Sequence, residues 1–230
     1  MDHLDSVRLV TASGDLVEAS KTKNAELFWG IRGAGHNFGI ITSATFRLQD
    51  NVNGGKLTSM DLLYPGSANT TIYKALKTYD KNIPNELTLN VFSAYNATSQ
   101  QGVIIVNVVW FGPEADLPGH IQPFLAAGPT ANNTKTVRWT DWWTTANFGA
   151  YTTPTAPDCR DGQYFNSYAL DVKNTDPDVL TKAFHDIVEF SRANPGFSGS
   201  IGINRYPEAL TLSVPNGETA YAYRDTKSQV

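Results

Sequence analysis

Two β-branched segments joined by a short polar stretch constrain the fold of this chain more than any other feature of its sequence. Residues 87–95 (LTLNVFSAY) and 102–112 (GVIIVNVVWFG) are rich in the Val, Ile, Phe and Thr that β-strands favour. The NATSQQG that connects them has the composition of a turn. A connection this short predicts a hairpin, and therefore a sheet that is antiparallel at this point.

Further strands and helices alternate on both sides of this hairpin. A helix is expected over 68–82, where Ile72, Leu76 and Tyr79 fall on one face, and another over 176–196, between Asp-Pro and Asn-Pro-Gly. The other expected elements are strands over 57–64, 163–172, 198–206 and 209–214, and a helix over 114–128 that is broken at Pro118. Hairpin-linked strands with interleaved helices predict an α+β fold, in which helices cover an antiparallel sheet.

The first fifty residues have a pattern of their own. Strands are expected over 6–12, 16–20 and 39–48, with a helix over 25–32. A polar, glycine-rich stretch, DNVNGGK (50–56), then separates them from the rest of the chain. Such a stretch is typical of a boundary between domains, so we expect a division near residue 50.

The composition argues against several classes of function. A formal net charge of −4 provides no basic surface, so no nucleic-acid partner is expected. No apolar run reaches the roughly 18 residues of a transmembrane helix, so no membrane partner is expected either. The four histidines lack the H-x-H or H-E-x-x-H spacing of zinc sites, so we expect no metal. The N-terminus shows no apolar signal-peptide core, and localisation is left open. Oligomeric state is left open as well.

Cysteine and glycosylation signals carry little information. Cys159 is the single cysteine, so no disulfide within the chain holds the fold together. Asn69, Asn96 and Asn132 each begin an N-x-[ST] sequon. About three such matches arise by chance in a chain this rich in Asn, Ser and Thr, so glycosylation at these positions is left open.

The densest cluster of glycine and aromatic residues lies in ELFWGIRGAGHNFGIITSATF, residues 26–46. Dinucleotide-binding folds place a strand before their glycines and a helix after them, whereas here a helix comes first and a strand follows. The three residues between Gly35 and Gly39 also differ from the G-x-G-x-x-G spacing, so that interpretation is rejected. Local physics alone predicts a helix end with Gly33 in the left-handed conformation, followed by a tight loop.

The whole of residues 26–46 resembles the end of the FAD-binding domain in berberine-bridge-enzyme-like flavoproteins. These are FAD-linked oxidases of the vanillyl-alcohol-oxidase superfamily, whose FAD-binding domain is of the PCMH type. The preceding LDSVRLVTASGDLVEAS (4–20) is similar to the hairpin that precedes this segment in the family. Weaker similarity extends to GETAYAYRDTKSQV (217–230), which resembles the strand that returns to the flavin domain.

The resemblance implies that the chain contributes to an FAD site. By position in the motif, Gly35, Gly39, Ile40 and Ile41 are the expected cofactor-binding residues. Glycine suits this role, because main-chain N–H groups can approach an anion where no Cβ intervenes. The resemblance implies three parts of the chain: the C-terminal part of the FAD-binding domain (1–49), a substrate-binding domain (50–215) and the start of the return segment (216–230).

The implied reaction is hydride transfer to flavin from a C–H or C–OH group of a small-molecule substrate, either a sugar or a secondary metabolite. The aperiodic stretch 134–162 predicts a long loop, and its Trp142 and Trp143 either pack or form a stacking platform for the substrate. Tyr221 and Tyr223, expected on one face of a strand, either line the substrate side or pack. The catalytic residue remains unknown.

Two parts of the family pattern have no counterpart in this sequence. The family usually attaches FAD through a His and often a Cys in an earlier region, and it places a catalytic tyrosine in a later one. We therefore expect the chain to be a fragment that binds FAD weakly or not at all on its own, so whether it is itself an enzyme is left uncertain. The alternative function is a non-catalytic, truncated substrate-binding domain that does not retain flavin.

Overall fold

The computed structural model describes residues 1–141 and 166–230. Within it the chain forms two compact units. Unit 1 comprises Met1–Asp50 and Glu208–Asp225, and unit 2 comprises Asn51–Pro207 and Thr226–Val230. The functional assignment of the three expected domains stays a prediction.

The regular elements are numbered in chain order. The strands are β1 (Leu4–Val10), β2 (Leu16–Ser20), β3 (Ile40–Phe46), β4 (Lys56–Pro65), β5 (Leu87–Asn96), β6 (Gln101–Trp110), β7 (Ala131–Arg138), β8 (Asp171–Val172), β9 (Ser200–Arg205) and β10 (Ser228–Gln229). The helices are α1 (Ala25–Ala34), α2 (Asn69–Lys77), α3 (Leu117–His120), α4 (Gln122–Ala126), α5 (Pro177–Ala193) and α6 (Ala209–Ser213). None of these helices is long and apolar enough to cross a membrane.

Unit 1 is built on a three-stranded antiparallel sheet in the order β2-β1-β3. Alternate residues of β1 point to one face, where Leu9 is fully buried against Phe28 and Ile31 of α1. Burial of these apolar side chains holds the helix to the sheet. In contrast, all seven residues of β3 are exposed.

Unit 2 is a seven-stranded antiparallel sheet in the order β7-β4-β6-β5-β9-β10-β8. The predicted hairpin is present as β5 and β6, which pair without interruption from Leu87↔Trp110 to Asn96↔Gln101. Helices α2, α4 and α5 pack through one apolar cluster on a single face of the sheet, here called the helix face. This arrangement confirms the predicted α+β fold with an antiparallel sheet covered by helices.

Three local expectations were wrong. Residues 131–138, partly assigned to a loop, form edge strand β7, whose backbone pairs with β4 along its whole length. Its side chains are almost all exposed, so no periodic burial marks the strand in the sequence. Residues 209–214 form a single helical turn rather than a strand, and Leu210 is 77% exposed. In the described part of 163–172, only Asp171–Val172 is a strand.

Candidate functional site

Gly33 is required by packing rather than by backbone conformation. Its φ of 178° is extended, so the expected left-handed helix end was wrong. A Cβ at this position would lie 2.3 Å from the backbone carbon of Ala220 and 2.3 Å from the backbone nitrogen of Tyr221. Because both neighbours are main-chain atoms, neither moves aside cheaply. The glycine therefore allows the segment around Ala220 to pass against the end of α1.

Gly39 is required by both conformation and packing. Its φ of 144° lies in a region that residues with a Cβ rarely adopt. A Cβ there would also lie 2.2 Å from the backbone oxygen of Val10, at the end of β1. Gly39 therefore lets the chain enter β3 directly beside β1, which is sufficient reason for this glycine without any ligand.

Gly35 differs from both, because the fold does not need a glycine there. Its φ of −53° and ψ of −37° are helical values that any residue adopts. A Cβ would meet only the side chains of Ile31 and Ile41, at the ordinary contact distances of 3.6 and 3.7 Å. The fold therefore gives no reason for a glycine at position 35. The missing side chain does leave the backbone of Gly35 open to close approach by a ligand.

The strand that follows presents apolar side chains to solvent. Ile40 and Ile41 are 74% and 43% exposed, and Phe46 is also exposed. In unit 1, Gly35 adjoins Ile41, and Gly39 leads directly into Ile40. Because successive side chains of a strand point to opposite faces, Ile40 and Ile41 are exposed on different faces of β3. Exposed apolar area of this kind commonly marks a surface that binds a ligand or a partner.

Two buried arginines hold residues 208–225 within unit 1. Arg224 donates from both terminal nitrogens to the carboxylate of Asp2, at 2.9 and 3.1 Å. This hydrogen bond holds the pKa of Asp2 below its usual value and raises that of Arg224. Arg32 donates to the backbone oxygen of Glu218 at 2.9 Å and lies over the ring of Phe28. Arg32 is thus a packing and anchoring residue.

The expected substrate-side tyrosines contact each other, but not on a strand. Residues 221–223 have no regular secondary structure, so the expectation of a shared strand face was wrong. The rings of Tyr221 and Tyr223 meet edge to face with centroids 6.2 Å apart, and Tyr223 is 57% exposed. The other two candidates, Trp142 and Trp143, lie outside the described residues.

Unit 2 contains a polar row that was not expected from the sequence. Register places Asn204 of β9 opposite Asn90 of β5, Asn90 opposite Asn107 of β6, and Asn107 opposite Asp61 of β4. Asn133 of β7 follows opposite Asp61. Side chains alternate along a strand. The strand neighbours of all members except Asn133 lie in the helix-face cluster or are buried with it. These residues, here called the amide row, therefore point to the opposite face.

Hydrogen bonds connect the centre of the amide row. Asn90 Nδ2 donates to Asn107 Oδ1 at 3.1 Å, and Asn107 Nδ2 donates to Asp61 Oδ1 at 2.6 Å. Asn107 is 1% exposed and Asn90 is 6% exposed, whereas Asp61 and Asn204 are half-buried. Counting residues back from the hairpin turn predicts that Asn90 and Asn107 face each other, and this was the overlooked signal. The other members required the order of the strands.

Metal binding has no support in the described ranges, which contain no group of three or more His, Cys, Asp or Glu residues able to hold an ion.

Comparisons with known proteins find FAD-linked oxidoreductases among the relatives of this chain. No family model matches the chain. The FAD-linked oxidoreductase azaL from Aspergillus niger is 37% identical over 223 residues, which are 97% of this chain and 46% of that protein. The chain therefore spans about half the length of the curated relatives it matches.

Solved structures show the same fold. A xylooligosaccharide oxidase from Myceliophthora thermophila, in complex with xylobiose, superposes with a TM-score of 0.74 at 28% identity, over 99% of this chain and 49% of that one. The BBE-like 1 protein from Physcomitrella patens superposes with a TM-score of 0.73 at 22% identity, over 99% and 49%. Over nearly its whole length the chain is thus a relative of proteins named FAD-linked oxidoreductases, of which it spans about half, and it has the fold of the BBE-like protein.

Proposed function

We propose that the chain carries part of the flavin site and the substrate-binding sheet of an FAD-dependent oxidoreductase that oxidises a C–H or C–OH group. When bound, FAD supplies the hydride acceptor. The proposed substrate is a sugar or a hydroxylated secondary metabolite. Two observations on other proteins support the redox class and a sugar substrate: curated relatives are named FAD-linked oxidoreductases, and a structural neighbour is a xylooligosaccharide oxidase in complex with xylobiose.

The observation that carries the proposal is Gly35. Gly33 and Gly39 have clear structural reasons to be glycine, whereas Gly35 has helical dihedral angles and room for a Cβ. Glycine in a helical conformation is less favourable than alanine by about 0.5–1 kcal/mol. A ligand that must approach the backbone closely explains why that loss of stability is tolerated.

Flavin contact would then extend from Gly35 along the start of β3. Main-chain N–H groups at Gly35 and Gly39 would donate to the polar, anionic part of the cofactor. Ile40 and Ile41, both exposed, would cover apolar parts of it. On the substrate side we retain Tyr221 and Tyr223, together with Trp142 and Trp143.

The test is an FAD titration of the ¹⁵N-labelled chain, observed by NMR. We expect shifts concentrated at the backbone amides of Gly35, Gly39, Ile40 and Ile41, with weak affinity in the millimolar range. Gly35→Ala should abolish these shifts and leave the free energy of unfolding within about 1 kcal/mol of wild type. Gly119→Ala is the matched control, because Gly119 also has a helical conformation and room for a Cβ.

Two outcomes would count against this assignment. Shifts that are absent, or that occur elsewhere, would favour the alternative of a substrate-binding domain that does not retain flavin. Unchanged shifts in Gly35→Ala would remove Gly35 from the site. Separately, a chain that stays yellow through gel filtration would show that the expectation of weak binding is wrong.

A further inference from the structure

We propose that Asp61 and Asn107 are positioning residues that hold the side-chain oxygen of Asn90 as a hydrogen-bond acceptor for a hydroxyl group of a neutral ligand. This inference rests on the proposed substrate-binding role of unit 2 and identifies one of its contacts. It concerns only the amide row and makes no use of unit 1.

The direction of the hydrogen bonds follows from the chemistry of Asp61. An ionised carboxylate only accepts hydrogen bonds, so the atom of Asn107 that lies 2.6 Å from Asp61 must be its NH₂ group. The oxygen of Asn107 is then turned towards Asn90, and it accepts from the Asn90 NH₂ group. Asp61 therefore determines the orientation of two successive carboxamides. Without a charged end, such a row has no preferred direction.

The consequence falls on the Asn90 oxygen. Because the Asn90 NH₂ group is used towards Asn107, Oδ1 lies on the side away from Asn107, and among the described residues it accepts no hydrogen bond. Asn90 is nonetheless 6% exposed, and its neighbours along β5 are Leu89 and Val91. The little exposure that Asn90 has includes Oδ1. An oriented acceptor that a ligand can reach, on a side chain that is otherwise buried, is suited to a ligand donor.

The surroundings indicate the class of ligand. A neutral amide oxygen pairs well with a hydroxyl group, which donates one hydrogen bond and carries no charge that would need to be desolvated. Asn204 lies directly opposite Asn90 on β9 and is half-buried, so a second carboxamide is available at the distance between paired residues. Two neighbouring carboxamides match a ligand with more than one hydroxyl group, such as a sugar or another polyol.

The orientation itself is tested without a ligand. In ¹⁵N spectra of the full chain, Asp61→Asn should move the side-chain NH₂ resonances of both Asn107 and Asn90. A carboxamide at position 61 can turn either its oxygen or its NH₂ group towards Asn107, so it no longer imposes one direction on the row. Asp186→Asn is the matched control: it makes the same change of charge on an exposed carboxylate of α5 and should leave both resonances in place. An Asn90 resonance that does not move in Asp61→Asn would overturn the positioning role.

Ligand contact is tested with methyl β-D-glucopyranoside as the polyol and tetrahydropyran as a ring without hydroxyls. Titration to 100 mM should perturb the Asn90 side chain saturably with the glucoside and not with tetrahydropyran. Asp61→Asn should weaken binding about 5- to 10-fold, as expected for the loss of one oriented hydrogen bond. No response of Asn90 to the glucoside, or equal affinity in wild type and Asp61→Asn, would refute the proposal.

Asn90→Leu gives an independent check, since it removes the acceptor and should abolish the response while backbone spectra report whether the sheet persists. If Asn90→Leu does not fold, the glucoside titration of Asp61→Asn still tests the proposal. Failure here is distinguishable from failure of the flavin assignment, because the FAD titration is read at Gly35 and Gly39 and the polyol titration at Asn90.

Discussion

Replacing Gly39 with alanine is the most informative test of how unit 1 is held together. Two features of the structure oppose any side chain there. The φ of 144° is strained for a residue with a Cβ, and the added carbon would lie 2.2 Å from the backbone oxygen of Val10. Both features must be relieved at once, because moving the chain away from Val10 also breaks the pairing of β1 with β3.

The magnitude follows from these two terms. A residue held in a sparsely populated backbone region costs about 1–3 kcal/mol. Forcing one extra carbon into a packed position costs about 1–3 kcal/mol more. We therefore expect Gly39→Ala to lower the free energy of unfolding by about 2–6 kcal/mol, a large part of the total stability of about 5–15 kcal/mol that is usual for a domain.

Urea denaturation followed by circular dichroism measures this difference. The comparison variant is Gly35→Ala, which adds the same carbon four residues earlier, where the dihedral angles are helical and the nearest atom is 3.6 Å away. It should leave stability unchanged or raise it by up to about 1 kcal/mol. Equal midpoints for Gly39→Ala and wild type would refute the strain argument, as would equal losses in the two variants.

Two further substitutions test single polar contacts. Asp2→Asn should lower the free energy of unfolding by about 1–2 kcal/mol at pH 7, because Arg224 stays buried without its anion. The pKa of Asp2 is lowered in the folded state, so this contribution is full above about pH 4 and is lost as the pH falls further. The stabilities of the variant and the wild type should therefore converge in acid denaturation. Asp176→Ala removes the acceptor for the backbone N–H of Val179 at the start of α5 and should lower the free energy of unfolding, measured by urea denaturation, by about 0.5–2 kcal/mol. Asp186→Ala, on the exposed side of the same helix, should lower it by at most about 0.5 kcal/mol. Equal effects of the two variants would contradict the capping role.

Local pattern was sufficient for the elements that bury one face. The alternation in β5 and β6, the apolar stripe of α5 and the short turn at 97–100 are properties of neighbouring residues, so the hairpin and the α+β fold follow from the sequence. Edge strand β7 and helix α6 bury few side chains. Burial of one face is what produces the periodic pattern of apolar residues from which an element is predicted. Their conformations depend on partners distant in the chain, or on none, and so were mispredicted.

The same distinction applies to the candidate sites. The density of the motif at residues 26–46 was sufficient to predict the family, since many residue types had to agree at once. The structural reasons for its glycines could not be predicted from the sequence. Gly33 is constrained by Ala220 and Gly39 by Val10, and the spacing of residues within the motif indicates neither contact. The amide row likewise extends beyond one hairpin only through the order of β4, β6, β5 and β9. Sequence determined the strands and helices that bury one face, whereas tertiary structure decided the weakly buried elements and which atoms meet, because contacts between distant segments depend on the packing of the whole chain.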